Sequence, residues 1–190
     1  MNPKQRLGIL TILLLLGAVA FFVMQPRSGA KATLDASFDQ ASYAAGDEIT
    51  LTLRLTNAGG GAICVSSMPQ GSVTFLSLTR DGEPVATRTT PAYFLAPFDE
   101  MLKSGLVPLG AGETAEIALV SEIDEGLVGR ALRTTDADAG RGLAMFYDVA
   151  TPGEYELAVA YEYQGPPSEE CGNIFTGATN SATAIFTVTP

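Results

Sequence analysis

The chain has 190 residues, enough for one ordinary domain with a substantial core, and it carries 21 acidic against 11 basic residues, two cysteines and no histidine or tryptophan. From residue 32 onward there are 7 basic and 21 acidic groups, a formal charge of −14. That balance excludes electrostatic binding to nucleic-acid phosphates, which needs clustered lysine and arginine. The absence of histidine excludes Ser-His-Asp and Cys-His catalysis and any zinc site that needs imidazole.

Residues 1–31 read as a segment apart. Lys4 and Arg6 precede LGILTILLLLGAVAFFVM, residues 7–24, which contain no charge. As a helix this run would span roughly 27 Å at about 1.5 Å per residue, close to a bilayer core. Two readings stay open. The run is a retained membrane anchor, favoured by Phe21-Phe22-Val23-Met24 prolonging it. Alternatively, cleavage at Ala18-Val19-Ala20 makes residues 7–17 the apolar part of a signal peptide. Either one predicts export, with the domain extracytoplasmic and either anchored by this N-terminal helix or secreted or periplasmic after cleavage.

From residue 32 the apolar period becomes two, the signature of half-buried strands. ATLDASF (32–38) opens the series. In EITLTLRLTN (48–57), Ile49, Leu51, Leu53 and Leu55 face one way and the threonines and Arg54 the other. GAICVS (61–66), SVTFLSLTR (72–80) and EPVATRT (83–89) follow, with Asp81-Gly82 as a tight hairpin signal. TAEIALVS (114–121) and GLAMFYDV (142–149) come next. YELAVAYEY (155–163) places Tyr155, Leu157, Val159, Tyr161 and Tyr163 inward and Glu156 and Glu162 outward. SATAIFTVTP (181–190) ends the chain with Ala184, Phe186 and Val188 on one side. Tyr155, in Thr-Pro-Gly-Glu-Tyr, is either a tyrosine corner or a plain core aromatic. No stretch shows a helical period beyond two turns. The expectation is an all-β fold, an antiparallel β-sandwich of about seven to nine strands over residues 32–190, preceded by one hydrophobic helix.

SYAAGDEITLTLRLTNAGG, SVTFLSLTRDGEPV, LVPLGAGETAEIAL and TPGEYELAVAYEY, in that order, carry a resemblance. They resemble an immunoglobulin-like sandwich common in bacterial envelope proteins. The layout is similar to the β-sandwich region that precedes the catalytic domain in deuterolysin-like metalloendopeptidases. It also resembles, more loosely, bacterial proteinase-inhibitor domains. No peptidase residue carries over, because the chain has no His-Glu-x-x-His.

The two cysteines, Cys64 and Cys171, do not form Cys-x-x-Cys, and Glu169 and Glu170 disfavour a Cys171 thiolate. An exported chain meets an oxidising compartment, where paired cysteines persist as disulfides. A Cys64–Cys171 bond is therefore expected, closing a loop of about 100 residues for ~4.7 kcal/mol in the chain-entropy treatment.

Two segments stand out as loops. TTPAYFLAPFDEM (89–101) holds Tyr93, Phe94, Leu95 and Phe98 between or beside Pro91 and Pro97. Proline bars it from a central strand. Its aromatics either plug one end of the sandwich or form an exposed apolar patch for a partner. EIDEGLVGRALRTTDADAGRG (122–142) contains Asp136-Ala137-Asp138 ahead of Gly140, similar to the opening of a calcium loop. It lacks the third ligand and the closing glutamate, and Arg130, Arg133 and Arg141 oppose a cation, so a solvated loop without metal is expected.

The functional expectation is a non-catalytic envelope domain that uses no cofactor and contacts another envelope protein, with membrane contact through residues 7–24 if they are uncleaved. A peptidase regulator is the second reading. An enzyme working with carboxylates alone is the third, but a small sandwich without tryptophan offers sugars little stacking surface. Titration of free thiols in the unfolded, unreduced protein should find none; two reactive thiols would refute the paired-cysteine reading.

Overall fold

The computed structural model describes residues 31–94, 97–127, 129–138 and 141–190. The expected anchor or signal segment at 7–24 lies outside the described residues, and no described helix is long and apolar enough to cross a membrane.

Two facing sheets make the core. One contains β1 (Ala32–Phe38), β3 (Thr50–Asn57) and β9 (Thr114–Val120) in the order β1-β3-β9. The other contains β2 (Ser42–Ala44), β14 (Ala182–Thr189), β13 (Gly153–Tyr161), β5 (Val73–Arg80) and β6 (Glu83–Pro84), in that spatial order. All neighbours are antiparallel except β2 and β14. Two antiparallel sheets with this interleaved order, closed by an aromatic core, make an immunoglobulin-like β-sandwich.

Alternation dictates which side chains meet. Leu51, Leu53 and Leu55 of β3 and Ile117 and Leu119 of β9 are buried against Tyr155, Leu157, Val159, Phe186 and Val188. Each such aliphatic contributes roughly 1.5–3 kcal/mol on leaving water. Phe186 is the hub. Its ring stacks on Tyr155 with centroids 4.7 Å apart, lies 4.3 Å from Phe38, and meets Tyr43 edge-on at 5.8 Å. Tyr155 is a tyrosine corner, since its hydroxyl donates to the Thr151 carbonyl at 2.6 Å.

The chain leaves the first sheet at the end of β1 and enters the second as β2. Asp39 pins this switch: its Oδ1 accepts from the Tyr43 hydroxyl at 2.5 Å and from the Thr50 amide at 3.3 Å. Burial, and then the Asp39 carboxylate, push the Tyr43 phenol up to about 12. The same hydrogen bond holds the Asp39 carboxyl below its ordinary value.

The Asp81-Gly82 turn is a two-residue hairpin with positive φ at both positions, 52° and 85°, which is why glycine follows the aspartate. Asn57 organises another corner. Fully buried, it donates to the carbonyls of Gly61 and Leu109 and accepts from the Gly59 amide, so the glycine-rich connection 58–62 is held in place.

A third sheet was not anticipated. It contains β7 (Thr87–Ala92), β10 (Glu122–Asp124), β11 (Gly129–Asp138) and β12 (Arg141–Asp148), in the order β10-β11-β12-β7. The expectation of a solvated loop over 122–142 is corrected, because β11 and β12 form a long hairpin there with Ala131, Leu132, Thr134 and Thr135 buried. Arg130, Arg133 and Asp136 interrupt the apolar alternation there, and the strand character comes from pairing with β10 and β12. The expected count of seven to nine strands likewise rises to fourteen among the described residues, several only two to four residues long. Leu132 and Tyr147 join the main core from this third sheet, and Tyr147 lies 5.0 Å from Phe75.

A small ladder of β4 (Ile63–Ser66) and β8 (Leu106–Leu109) completes the fold. Cys64, on β4, is bonded to Cys171 with Cα atoms 6.0 Å apart. The 162–181 segment is held there by backbone as well: Cys64 donates to Asn173 and accepts from Phe175, both at 2.8 Å. Replacing Asn57 by alanine leaves the buried Leu109 carbonyl unpaired and frees the part-buried Gly61 carbonyl and Gly59 amide, and is expected to cost about 1–3 kcal/mol in denaturant unfolding; a change below about 0.5 kcal/mol would contradict this account of the corner.

Candidate functional site

β7 is the edge of the third sheet and pairs only with β12, so Pro91, opposite Leu143, removes no essential ladder bond. The chain then turns into α1 (Phe98–Ser104), entered at Pro97. Asp99 and Glu100 in its first turn and Lys103 in its last complement the helix dipole. Phe98 and Leu102 bury this helix against the core.

The four aromatic and aliphatic candidates therefore separate. Phe98 is buried, and Phe94 is half-buried and stacks on it with centroids 4.9 Å apart. Tyr93 instead is 89% exposed. Leu95 lies outside the described residues. Phe94 and Phe98 thus pack as the plug would, while the adjacent Tyr93 stands exposed. Gly142 makes room for the Phe94 ring, since a Cβ there would stand 2.7 Å from Phe94 Cε2.

Pro91, Ala92, Tyr93, Phe94, Phe98 and Arg141 line a cleft of about 340 Å³. Among the described residues, its charged lining residue is Arg141. With one guanidinium, one phenol and apolar walls, it can hold a side chain but has no acid–base pair for catalysis.

A second cleft of about 680 Å³ lies between α1 and residues 167–170, lined by Glu100, Lys103, Ser104 and Glu170 among others. Asp136 sits in β11 opposite Leu143, 3.4 Å from the Thr74 hydroxyl, and no group of three metal-ligating side chains occurs among the described residues.

The structure adds a cluster that no local pattern announces. On the outer face of the third sheet, Phe146 lies between its two cross-strand neighbours, with the Arg88 guanidinium 4.6 Å and the Arg133 guanidinium 5.6 Å from the ring centroid. Arg88 grips the buried Asp124 with two nitrogens, Nε at 3.0 Å, and Asp124 Oδ1 also accepts from the Leu127 amide at 2.9 Å. The Arg88 hydrogen bonds hold the Asp124 carboxyl below its ordinary value against the opposing effect of burial. Only strand pairing brings residues 88, 124, 133 and 146 together. The cluster ties β10 to β7 across the sheet and is structural.

No known protein family and no curated protein matches the chain. Among solved structures, it is similar to the crystal structure of the CARDB domain of the PF1109 protein from Pyrococcus furiosus in complex with di-metal ions, at a TM-score of 0.38 and 11% identity over 86% of this chain and 97% of that one. The solution structure of the same CARDB domain gives 0.34 and 12% over 84% and 96%. AvmM, which catalyses macrocyclization in alchivemycin A biosynthesis, gives 0.36 and 13% over 85% and 90%. Likenesses this distant assign no activity, ligand or metal to this chain.

Phe98→Ser should destabilise the protein by about 3 kcal/mol, whereas Tyr93→Ser should stay within about 0.5 kcal/mol; equal losses would show that Tyr93 is packed rather than presented. For Asp124, the folded carboxyl titrates below its unfolded value, so its contribution is complete above that value and is lost as pH falls through the folded one. Asp124→Asn should therefore lower the melting temperature near neutral pH, with the gap to wild type closing on acidification. A gap independent of pH would rule out the ion pair as its source.

Proposed function

We propose that the chain is a non-catalytic immunoglobulin-like domain, exported and either held at the membrane by residues 7–24 or released, that works by contacting another protein of the cell envelope. The observation that carries this reading is the presentation of Tyr93, nearly fully exposed, on a base of stacked Phe94 and Phe98 that the sandwich holds rigid. An aromatic with few rotamers on a fixed base loses little entropy on contact, which makes tyrosine an effective interface anchor. The lack of histidine in the whole chain supports a binding role over the commonest hydrolytic chemistries.

A second reading, a regulator of peptidases, is favoured by one feature. Tyr93 stands exposed just past the end of β7, an aromatic of the kind that enters a cleft, in a sequence bracketed by Pro91 and Pro97. The earlier resemblance to proteinase-inhibitor domains and to the accessory sandwich of deuterolysin-like enzymes points the same way.

A photo-reactive amino acid at position 93, activated in intact membranes, tests the first reading and the location together. A discrete adduct is expected in the envelope fraction. Absence of any adduct, or recovery of the protein from the cytosol, would overturn it. The peptidase reading predicts inhibition of at least one member of a serine, cysteine, aspartic and metallopeptidase panel at micromolar protein, abolished by Tyr93→Ser. Uniformly unaffected peptidases would remove it.

A further inference from the structure

The outer face of the five-stranded sheet carries two large aliphatic side chains that alternation alone does not account for: Leu76 on β5, 57% exposed, and Ile185 on β14, 56% exposed. β13 runs between these strands. Its outward residues read Glu154, Glu156, Ala158, Ala160 and Glu162, with the glutamates exposed and the alanines half-buried.

Register places the aliphatics together. Ile185 stands opposite Glu156, diagonal to Ala158. Ala158 pairs with Ser77 and Val159 with Phe75, so Leu76 is the extra residue of a β-bulge beside Ala158. Because of the bulge, Leu76 and Ser77 both face outward, and Phe75 and Leu78 both stay buried. Bulges re-aim side chains, and this one leaves Leu76 and Ser77 side by side at solvent while keeping Leu78 in the core. The result is an aliphatic stripe about 10 Å across, two strand spacings, from Leu76 through Ala158 to Ile185. Thr183, Thr187, Ser77 and Thr79 border it on the flanking strands. Glutamates close both ends of β13, and Asp136 lies beside Thr74 at one of them. None of these outward positions is basic.

We infer that this face is a second docking surface, whose occupant is a protein surface with an aliphatic centre and a rim of lysine or arginine. Charge selects among the occupants. A second copy would set Glu154, Glu156 and Glu162 against their own duplicates, on domains that each carry −14 over residues 32–190. An anionic lipid surface meets the same repulsion. A cationic rim instead pairs with the glutamates while its aliphatic centre covers Leu76 and Ile185, giving the complementary pattern of a specific interface. The inference is independent of Tyr93, which belongs to a different segment and sheet.

The probe is an 18-residue amphipathic helical peptide of leucine, alanine and lysine, presented to the full chain in zwitterionic nanodiscs with empty discs subtracted. Capture is read by a photo-reactive residue replacing Ser77. The lysine peptide should crosslink and its glutamate counterpart should not. Leu76→Ser with Ile185→Thr should cut the yield at least ten-fold while leaving the melting temperature unchanged, because both side chains are exposed. Glu154→Gln with Glu156→Gln should lower the yield and flatten its salt dependence. Glu113→Gln with Glu116→Gln, the same charge change around β9, should alter neither. No lysine-peptide adduct, equal losses in both glutamine pairs, or a chain-to-chain adduct through position 77 would each overturn the inference.

Discussion

Everything in this molecule is arranged about the contact that Phe186 makes with the facing sheet. The ring lies at a point where β1, β2, β13 and β14 all contribute an aromatic, through Phe38, Tyr43, Tyr155 and Phe186 itself. An aromatic of this size buries more apolar area than any single aliphatic neighbour, so the two sheets find their separation and angle around it. The first strand is drawn into both sheets by the same cluster. β1 ends on Phe38, Asp39 binds Tyr43, and β2 then lies parallel to the end of β14. Loss of the hub would release the crossover as well as open a cavity.

Several buried or partly buried polar groups hold the connections of the main sandwich. Asn57 supplies three hydrogen bonds to a glycine-rich turn that could not otherwise choose a conformation. The Tyr161 hydroxyl accepts from the Ser66 amide at 2.7 Å, and burial raises its phenol well above the ordinary value. Asn180 bonds both backbone groups of Leu34, standing in for one residue of a further strand at the β1 edge. The disulfide works in the same region, tying the long 162–181 segment to β4 beside the Tyr161–Phe175 pair. Each of these devices restrains a connection and leaves the sheet faces to packing.

The third sheet changes what the scaffold can present. β7 is an edge, and just past it Phe94 stacks on Phe98 of α1 while Tyr93 stands exposed. The Arg88–Asp124 pair and the stacking of Arg88 and Arg133 on Phe146 hold the sheet's outer face without a large apolar core of its own. The bulged face of β5, β13 and β14 lies on the five-stranded sheet, with Asp136 of the third sheet at one end of it. Two surfaces of different chemistry, one aromatic and one aliphatic with an acidic rim, thus share one framework.

Period-two alternation in 48–57, 155–163 and 181–190 was enough to establish which residues are core, because side-chain direction in a strand is a local property of the backbone. The hairpin at Asp81-Gly82 was legible for the same reason: positive φ is a demand on individual residues. Composition likewise excluded imidazole chemistry outright. What only the tertiary structure decided is everything that depends on pairing between distant segments. Residues 122–142 read as loop because charged side chains broke their alternation, and they became strands because β12 offered β11 a hydrogen-bonding edge and β11 offered one to β10. Tyr93 and Phe94 are neighbours of one chemistry, and no sequence rule separates the presented ring from the buried one; the position of Phe98 and the gap at Gly142 do. Leu76 and Leu78 are two strand leucines on the same period, and only the one-residue slip against β13 puts the first at solvent and the second in the core. Local backbone preference is written residue by residue, whereas register and the partners of an exposed face exist only after the strands have met.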